Sequence, residues 1–150
     1  MGSAKSIGTP EGIADLLGRL EKLRPETPRR WGTLTSGEML CHLADVTFHV
    51  LHPSDKIRKR SRRIYKWTAL YMPFPWPHGI RTPDRVNPRV KGTRPGDFEE
   101  DRRRVVEGLR TLASLSSFPE VHPVFGTMNT REWRIWAYRH TNHHLRQFGL

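Results

Sequence analysis

Apolar residues recur every three or four positions along much of the chain, the period that collects them on one side of an α-helix. Ile13, Leu16, Leu17, Leu20 and Leu23 follow it first. Thr9 precedes them as an N-cap, and Pro10 takes the first helical position, where its missing N–H costs nothing. Pro25 and Pro28 end the run. A second helix opens on the capping box of Thr35 and Glu38 and extends to about His52, before Pro53. Met39, Leu43, Val46 and Val50 form its apolar face, and His42 and His49 project within that face. A third helical stretch from about Lys56 to Tyr71 crosses a basic block. A fourth, from about Asp97 to Ser114, turns Phe98, Val105, Val106, Leu109 and Leu112 inward. The last begins at Asn129, whose box is closed by Glu132. It carries Trp133, Trp136, Ala137, His140, His144 and Gln147 in an arc of about 100°, with Arg131, Arg134 and Asn142 outside it.

Between the third and fourth stretches the pattern breaks. In Met72-Pro-Phe-Pro-Trp-Pro-His78-Gly79 the alternating prolines forbid a helix, so Phe74 and Trp76 ride on extended backbone. The irregular connection covers residues 73–96. Loops of this length are often functional, so a pocket lid is one reading. A strap packed over the helices by its aromatic rings is the other. No run alternates as a strand does, and neither Asn-Gly nor Asp-Gly marks a hairpin. The expected fold is a single all-α domain over residues 1–150, a helical bundle with one long crossover and a flexible leader at residues 1–8.

A chain of 150 residues has the length of one domain. Cys41 is the single cysteine, which excludes an internal disulfide and a Cys-x-x-Cys zinc site, so any metal is bound mainly by nitrogen and oxygen. The opening residues carry no apolar signal core, and no apolar run is long enough for a membrane span. The expectation is a cytoplasmic protein. The net charge of +11 concentrates in Lys56, Arg58, Lys59, Arg60, Arg62, Arg63 and Lys66, and again in Arg102, Arg103 and Arg104. Such blocks can neutralise phosphates, making a basic nucleic-acid-binding module one functional class. Solvated helix faces are the plainer reading, and no zinc finger, RNP-type strand or Gly-x-x-Gly loop accompanies the charge.

The closing helix holds the chemistry. His140 and His144 stand one turn apart on one face, a spacing that lets two neutral imidazoles converge on one ion. Either His42 or His49 could supply a third ring from the second helix across a bundle core. A lone inward histidine is ordinarily a core residue bonded to a carbonyl or carboxylate. Three together need polar partners, and one cation satisfies all of them. Three imidazoles leave a coordination position open, as in catalytic sites. Thr141 stands where the zinc-hydrolase motif His-Glu-x-x-His has its general base, which disfavours metal-dependent hydrolysis. Transfer of a thiol group needs no separate base in its attack step. Asp45, a turn after His42, is either an acceptor that orients a ligand ring or a surface charge. Gln147, a turn beyond His144, either bonds a substrate or metal-bound water or simply ends the stripe. Trp136 and Trp76 are candidates to line a small-molecule pocket. Cys41 points about 100° away from His42 and is a poor nucleophile.

Three segments carry a resemblance: Gly37-Glu-Met-Leu-Cys-His42-Leu-Ala-Asp45, His122-Pro-Val-Phe-Gly126, and Tyr138-Arg-His140-Thr-Asn-His143-His144-Leu-Arg-Gln-Phe-Gly149. Together, from about Trp31 to Gly149, they resemble the DinB-like superfamily, and more narrowly a bacterial subgroup described only as a domain of unknown function. Trp76-Pro-His-Gly79 is compatible with that subgroup. The resemblance implies a four-helix bundle holding a divalent metal, often zinc or nickel, on His42, His140 and His144. It assigns no role to His49, read as a packed histidine beneath the site, or to His143, read as a supporting or surface residue. Some members resemble transferases and isomerases that use bacillithiol, mycothiol or glutathione, which implies a low-molecular-weight thiol as co-substrate. The sequence does not fix an oligomeric state; a homodimer, the commonest assembly, is one option.

Overall fold

Three helix starts are made by the side chains expected to cap them, and a fourth by Asp97, expected only as the start of its helix. A computed structural model describes residues 4–54 and 63–150. Thr9 accepts from the Gly12 amide ahead of α1 (Pro10–Leu20), and the Thr35–Glu38 capping box opens α2 (Ser36–Leu51). The third helix, α3, is described over Arg63–Tyr71; the earlier part of its expected span, and the basic positions 56–62 with it, lie outside the described residues. Asp97 caps α4 (Phe98–Ser114), and the Asn129–Glu132 box opens α5 (Thr130–Gln147). Each such cap satisfies amides that the first helical turn leaves without partners.

The chain is mostly helical. Helix α2 packs along α4, α1 lies against α4 and α5, and α3 lies against α5. Leu16, Leu20, Met39, Leu40, Leu112, Ile135 and Leu145 are wholly buried where these helices meet, each stabilising the fold by roughly 1.5–3 kcal/mol. Helix α2 is central: every residue from Met39 to Asp45 is buried. A single inward stripe therefore understates it, because neighbours and the long connection cover it on several sides. No helix among the described residues is long and apolar enough to cross a membrane.

Three local expectations are corrected. A two-stranded antiparallel ladder, β1 (Val121–His122) with β2 (Gly126–Thr127), sits between α4 and α5. Strands of two residues are too short to show alternation, and the turn uses Gly126 at φ +73°, conformation that glycine adopts freely. Ile7, in the leader expected to be flexible, is buried, and its amide donates to the Arg134 carbonyl. The 73–96 connection contains a short 3-10 turn at Asp84–Val86.

That connection is tied down at both ends. The Trp76 indole donates to the Ala69 carbonyl at 2.8 Å, and Arg139 of α5 donates to the carbonyls of Met72 and Phe74. Further on, the amides of Val90 and Gly92 both donate to Asn87 O. The Asp45 carboxylate then accepts from both the amide and the hydroxyl of Thr93, at 2.6 and 2.7 Å. These bonds describe a strap fastened to α2, α3 and α5.

Candidate metal centre

His42, in the middle of α2, faces His140 and His144, one turn apart on α5. The capping boxes and buried stripes set each helix's rotation, so all three rings enter one space. Their nearest ring nitrogens lie within 4.8 Å of one another. Nε2 of His42 and Nε2 of His140 are 3.4 Å apart. Two nitrogens bound to a tetrahedral ion at ~2.0–2.1 Å lie about 3.3–3.4 Å from each other. The pair is thus already at the spacing a small dication requires, and the donor set fits a divalent metal with an affinity for imidazole.

Two of the rings are held in the ligating tautomer. His42 Nδ1 is 2.8 Å from the Val86 carbonyl, which can only accept, so the proton sits on Nδ1 and the Nε2 lone pair faces its neighbours. His144 Nδ1 is 2.8 Å from Gln147 Oε1, with the same consequence. Orientation of this kind by an outer acceptor is what metal-binding histidines ordinarily have. The third ring, His140, stacks on Trp136 with centroids 5.1 Å apart and planes 7° from parallel.

Burial and mutual repulsion keep the cluster neutral. Burial pushes the pKa values of His140 and His144 well below the ordinary histidine value, and the neighbouring imidazoles push them further. His42 is lowered by burial, against an opposing contribution from its bond to Val86. Neutral rings are the form that binds a metal.

His42 and His140 both open into a cavity of about 610 Å³. Val46, Val50, Phe125, Trp133 and Trp136 make much of its wall apolar, and no Asp or Glu lines it among the described residues. A second cavity, about 710 Å³, lies on the other side of α5 against the strap, lined by Trp31, Trp76 and His143 with Lys5, Arg131 and Arg146. The two tryptophans proposed for one pocket therefore separate: Trp136 belongs to the cavity that opens on the histidines, Trp76 to the other. His49 lines the 610 Å³ cavity and is half-buried, not packed beneath the site. His143 meets Trp31 edge-on at 4.9 Å.

Other candidates acquire different roles. The Asp45 carboxylate is engaged by Thr93, with Arg104 3.8 Å away, and the acceptor that orients His42 is the Val86 carbonyl. Asp45 therefore anchors the loop that carries that carbonyl. Gln147 is buried, and its amide oxygen is taken by His144, so it orients a ring and is not the free end of a stripe. Cys41 is buried, and burial raises its thiol to about 12, which leaves it protonated and unreactive at neutral pH. Arg102, Arg103 and Arg104 pair with Glu99, with Glu100 and Glu107, and with Asp45 and Asp101. Lys66 pairs with Glu132 at 2.8 Å.

One residue near the centre had no assigned role in the sequence. His122, on β1, is 6% exposed and lies between Phe125, Trp133 and Trp136. Its Nδ1 accepts from the amides of Val124 and Phe125, at 3.0 and 3.3 Å. The proton is therefore on Nε2, the opposite tautomer to His42 and His144. Burial, with a smaller push from the Arg85 guanidinium, lowers its pKa to about 3. The turn that makes this arrangement, His122-Pro-Val-Phe-Gly126, was the only signal of it in the sequence.

Compared with protein-family models, with curated proteins and with solved structures, the chain matches none of them.

Proposed function

We propose that this protein is a divalent-metal-dependent enzyme of the DinB-like type, a four-helix bundle in which His42, His140 and His144 hold zinc or nickel. The reaction we assign is transfer of a low-molecular-weight thiol to a small electrophile in the 610 Å³ cavity. One observation carries the reading: the 3.4 Å approach of two Nε2 atoms whose cluster is completed by His144 and pre-oriented by Val86 O and Gln147. When bound, a dication with an open position would favour the thiolate form of a coordinated thiol. The protein's own contribution is to hold neutral ligands in place, to exclude water with Trp133, Trp136 and Phe125, and to present the substrate.

A cavity lined by no Asp or Glu among the described residues supports thiol transfer over metal-dependent hydrolysis, which needs a base to deliver water. The nucleic-acid-binding alternative is weakened by the internal pairing of Arg102–Arg104. Elemental analysis of untagged protein purified without chelator tests the metal reading. We expect about one zinc, nickel or iron per chain, lost in the His140→Ala/His144→Ala double variant. A folded wild type that stays metal-free after zinc is added would sink it. Loss of a bis-anionic thiol's consumption in that same variant, but not in Cys41→Ala, then identifies the chemistry.

A further inference from the structure

The 610 Å³ cavity has three features that the metal cluster does not explain. The first is the donor on His122. Its Nδ1 is occupied by two backbone amides, so Nε2 must carry the proton, and no hydrogen bond from Nε2 to the described residues is formed. His122 is 6% exposed and lines the cavity, so this N–H is a fixed donor open to whatever enters. The second is Arg85. It lines the same cavity at its exposed rim and pairs with no carboxylate among the described residues; its neighbour Asp84 is taken by Arg81 at 3.1 Å. His49 and His122 line the same cavity with Arg85. The third is the wall itself, largely apolar and aromatic, with no acidic side chain among the described residues to oppose an anion.

We infer that the cavity takes an organic anion, an apolar or aromatic body carrying a carboxylate, with the carboxylate held by the His122 Nε2–H and the Arg85 guanidinium. An N–H donor fixed by two backbone bonds and a guanidinium fork together match the geometry of a carboxylate. Trp133 and Trp136 enclose the body. Trp136 has the His140 ring stacked on its face and meets His122 edge-on at 4.9 Å, so a carboxylate at His122 places the attached body near the histidine cluster. This assignment rests on the proposed function only for what happens next; recognition of the anion is a property of His122, Arg85 and the apolar wall.

The test is isothermal titration of the full chain, zinc-loaded and zinc-free, with benzoate as the probe and benzyl alcohol as its uncharged counterpart. We expect benzoate to bind at least about tenfold more tightly than benzyl alcohol, and His122→Phe and Arg85→Ala each to remove about tenfold of that affinity. Neither substitution should change the zinc content or the weak binding of benzyl alcohol. Arg85 is exposed, so its variant folds even if His122→Phe does not. Equal affinities for the two probes would overturn the inference. So would benzoate binding that needs zinc and ignores both substitutions, which leaves the metal reading intact. Zinc that fails to bind, with benzoate recognition still dependent on Arg85, would instead overturn the metal reading and support this one.

Discussion

Hydrogen-bond accounting for single side chains decides most of what can be said about this site. His42 and His144 each spend Nδ1 on an oxygen acceptor, and His122 spends it on two amides. Identical side chains thus become two lone-pair acceptors and one donor, because the partner of one nitrogen dictates the state of the other. Gln147 is the residue where this logic is most exposed to test. Replacing it with Leu keeps the volume roughly constant but frees the His144 ring to turn. We expect Gln147→Leu to weaken zinc binding by about 10- to 100-fold, measured by competition with a chromophoric chelator, with the helical circular dichroism unchanged. Wild-type affinity in that variant would show that packing alone orients His144. Gln147 was legible as the end of the inward stripe, but its partner was not: a residue three positions on can face a histidine, solvent or a substrate, and local spacing does not choose.

At the scale of elements, helix starts were readable because capping acts within four residues, and Thr9, Thr35 and Asn129 all bond as their spacing requires. The long connection was not readable in the same way. Its alternating prolines exclude a helix, yet nothing local says that the Asn87–Gly92 turn will carry Val86 O to His42, 44 residues back along the chain. Gly92 marks the tightness of that turn: a Cβ there would come within 2.9 Å of both Asp45 Oδ2 and the Val86 backbone. The anchor is Asp45 with Thr93. Asp45→Ala removes the charged acceptor of the Thr93 amide and hydroxyl, two part-buried bonds, which costs roughly 1–3 kcal/mol. We expect a lower urea midpoint at unchanged slope, and zinc affinity reduced severalfold through the loosened Val86 carbonyl. An unaltered zinc affinity in a destabilised variant would separate the loop's structural role from any role in orienting His42.

For the whole molecule, the consequence of gathering neutral histidines is a dependence of stability on protons and metal. His42, His122, His140 and His144 all have folded-state pKa values below the ordinary histidine value, chiefly through burial. The unfolded chain therefore binds protons that the folded chain refuses. Their stabilising contribution is complete above about pH 6.5 and is lost as pH falls through the folded values, to about 3 for His122. Metal-free protein should show a steadily falling urea midpoint from about pH 6.5 downward, flattened in the His140→Ala/His144→Ala variant. Zinc that binds only the folded state should add about 2.7 kcal/mol at a free concentration 100 times its dissociation constant, measured at pH 7.5. A midpoint insensitive to both acid and zinc would contradict the buried neutral cluster.

What the sequence determined by itself is local: where capped helices begin, which residues share a face, that sulfur is too scarce to build a metal site, and that two imidazoles on the last helix lie one turn apart. The tertiary structure decided the rest. His42 and His49 occupy the same stripe of α2, and only the axial offset between α2 and α5 brings His42 to a partner 98 residues away and leaves His49 on the cavity wall. Packing also places Trp136 and Trp76 on different cavities, and the two-residue strands around Gly126 turn His122, which had no assigned role, into a fixed donor. The physical reason is range. Capping and periodicity act across about one helical turn, whereas tautomers, cavity walls and ligand sets follow from contacts that exist only after distant segments have packed.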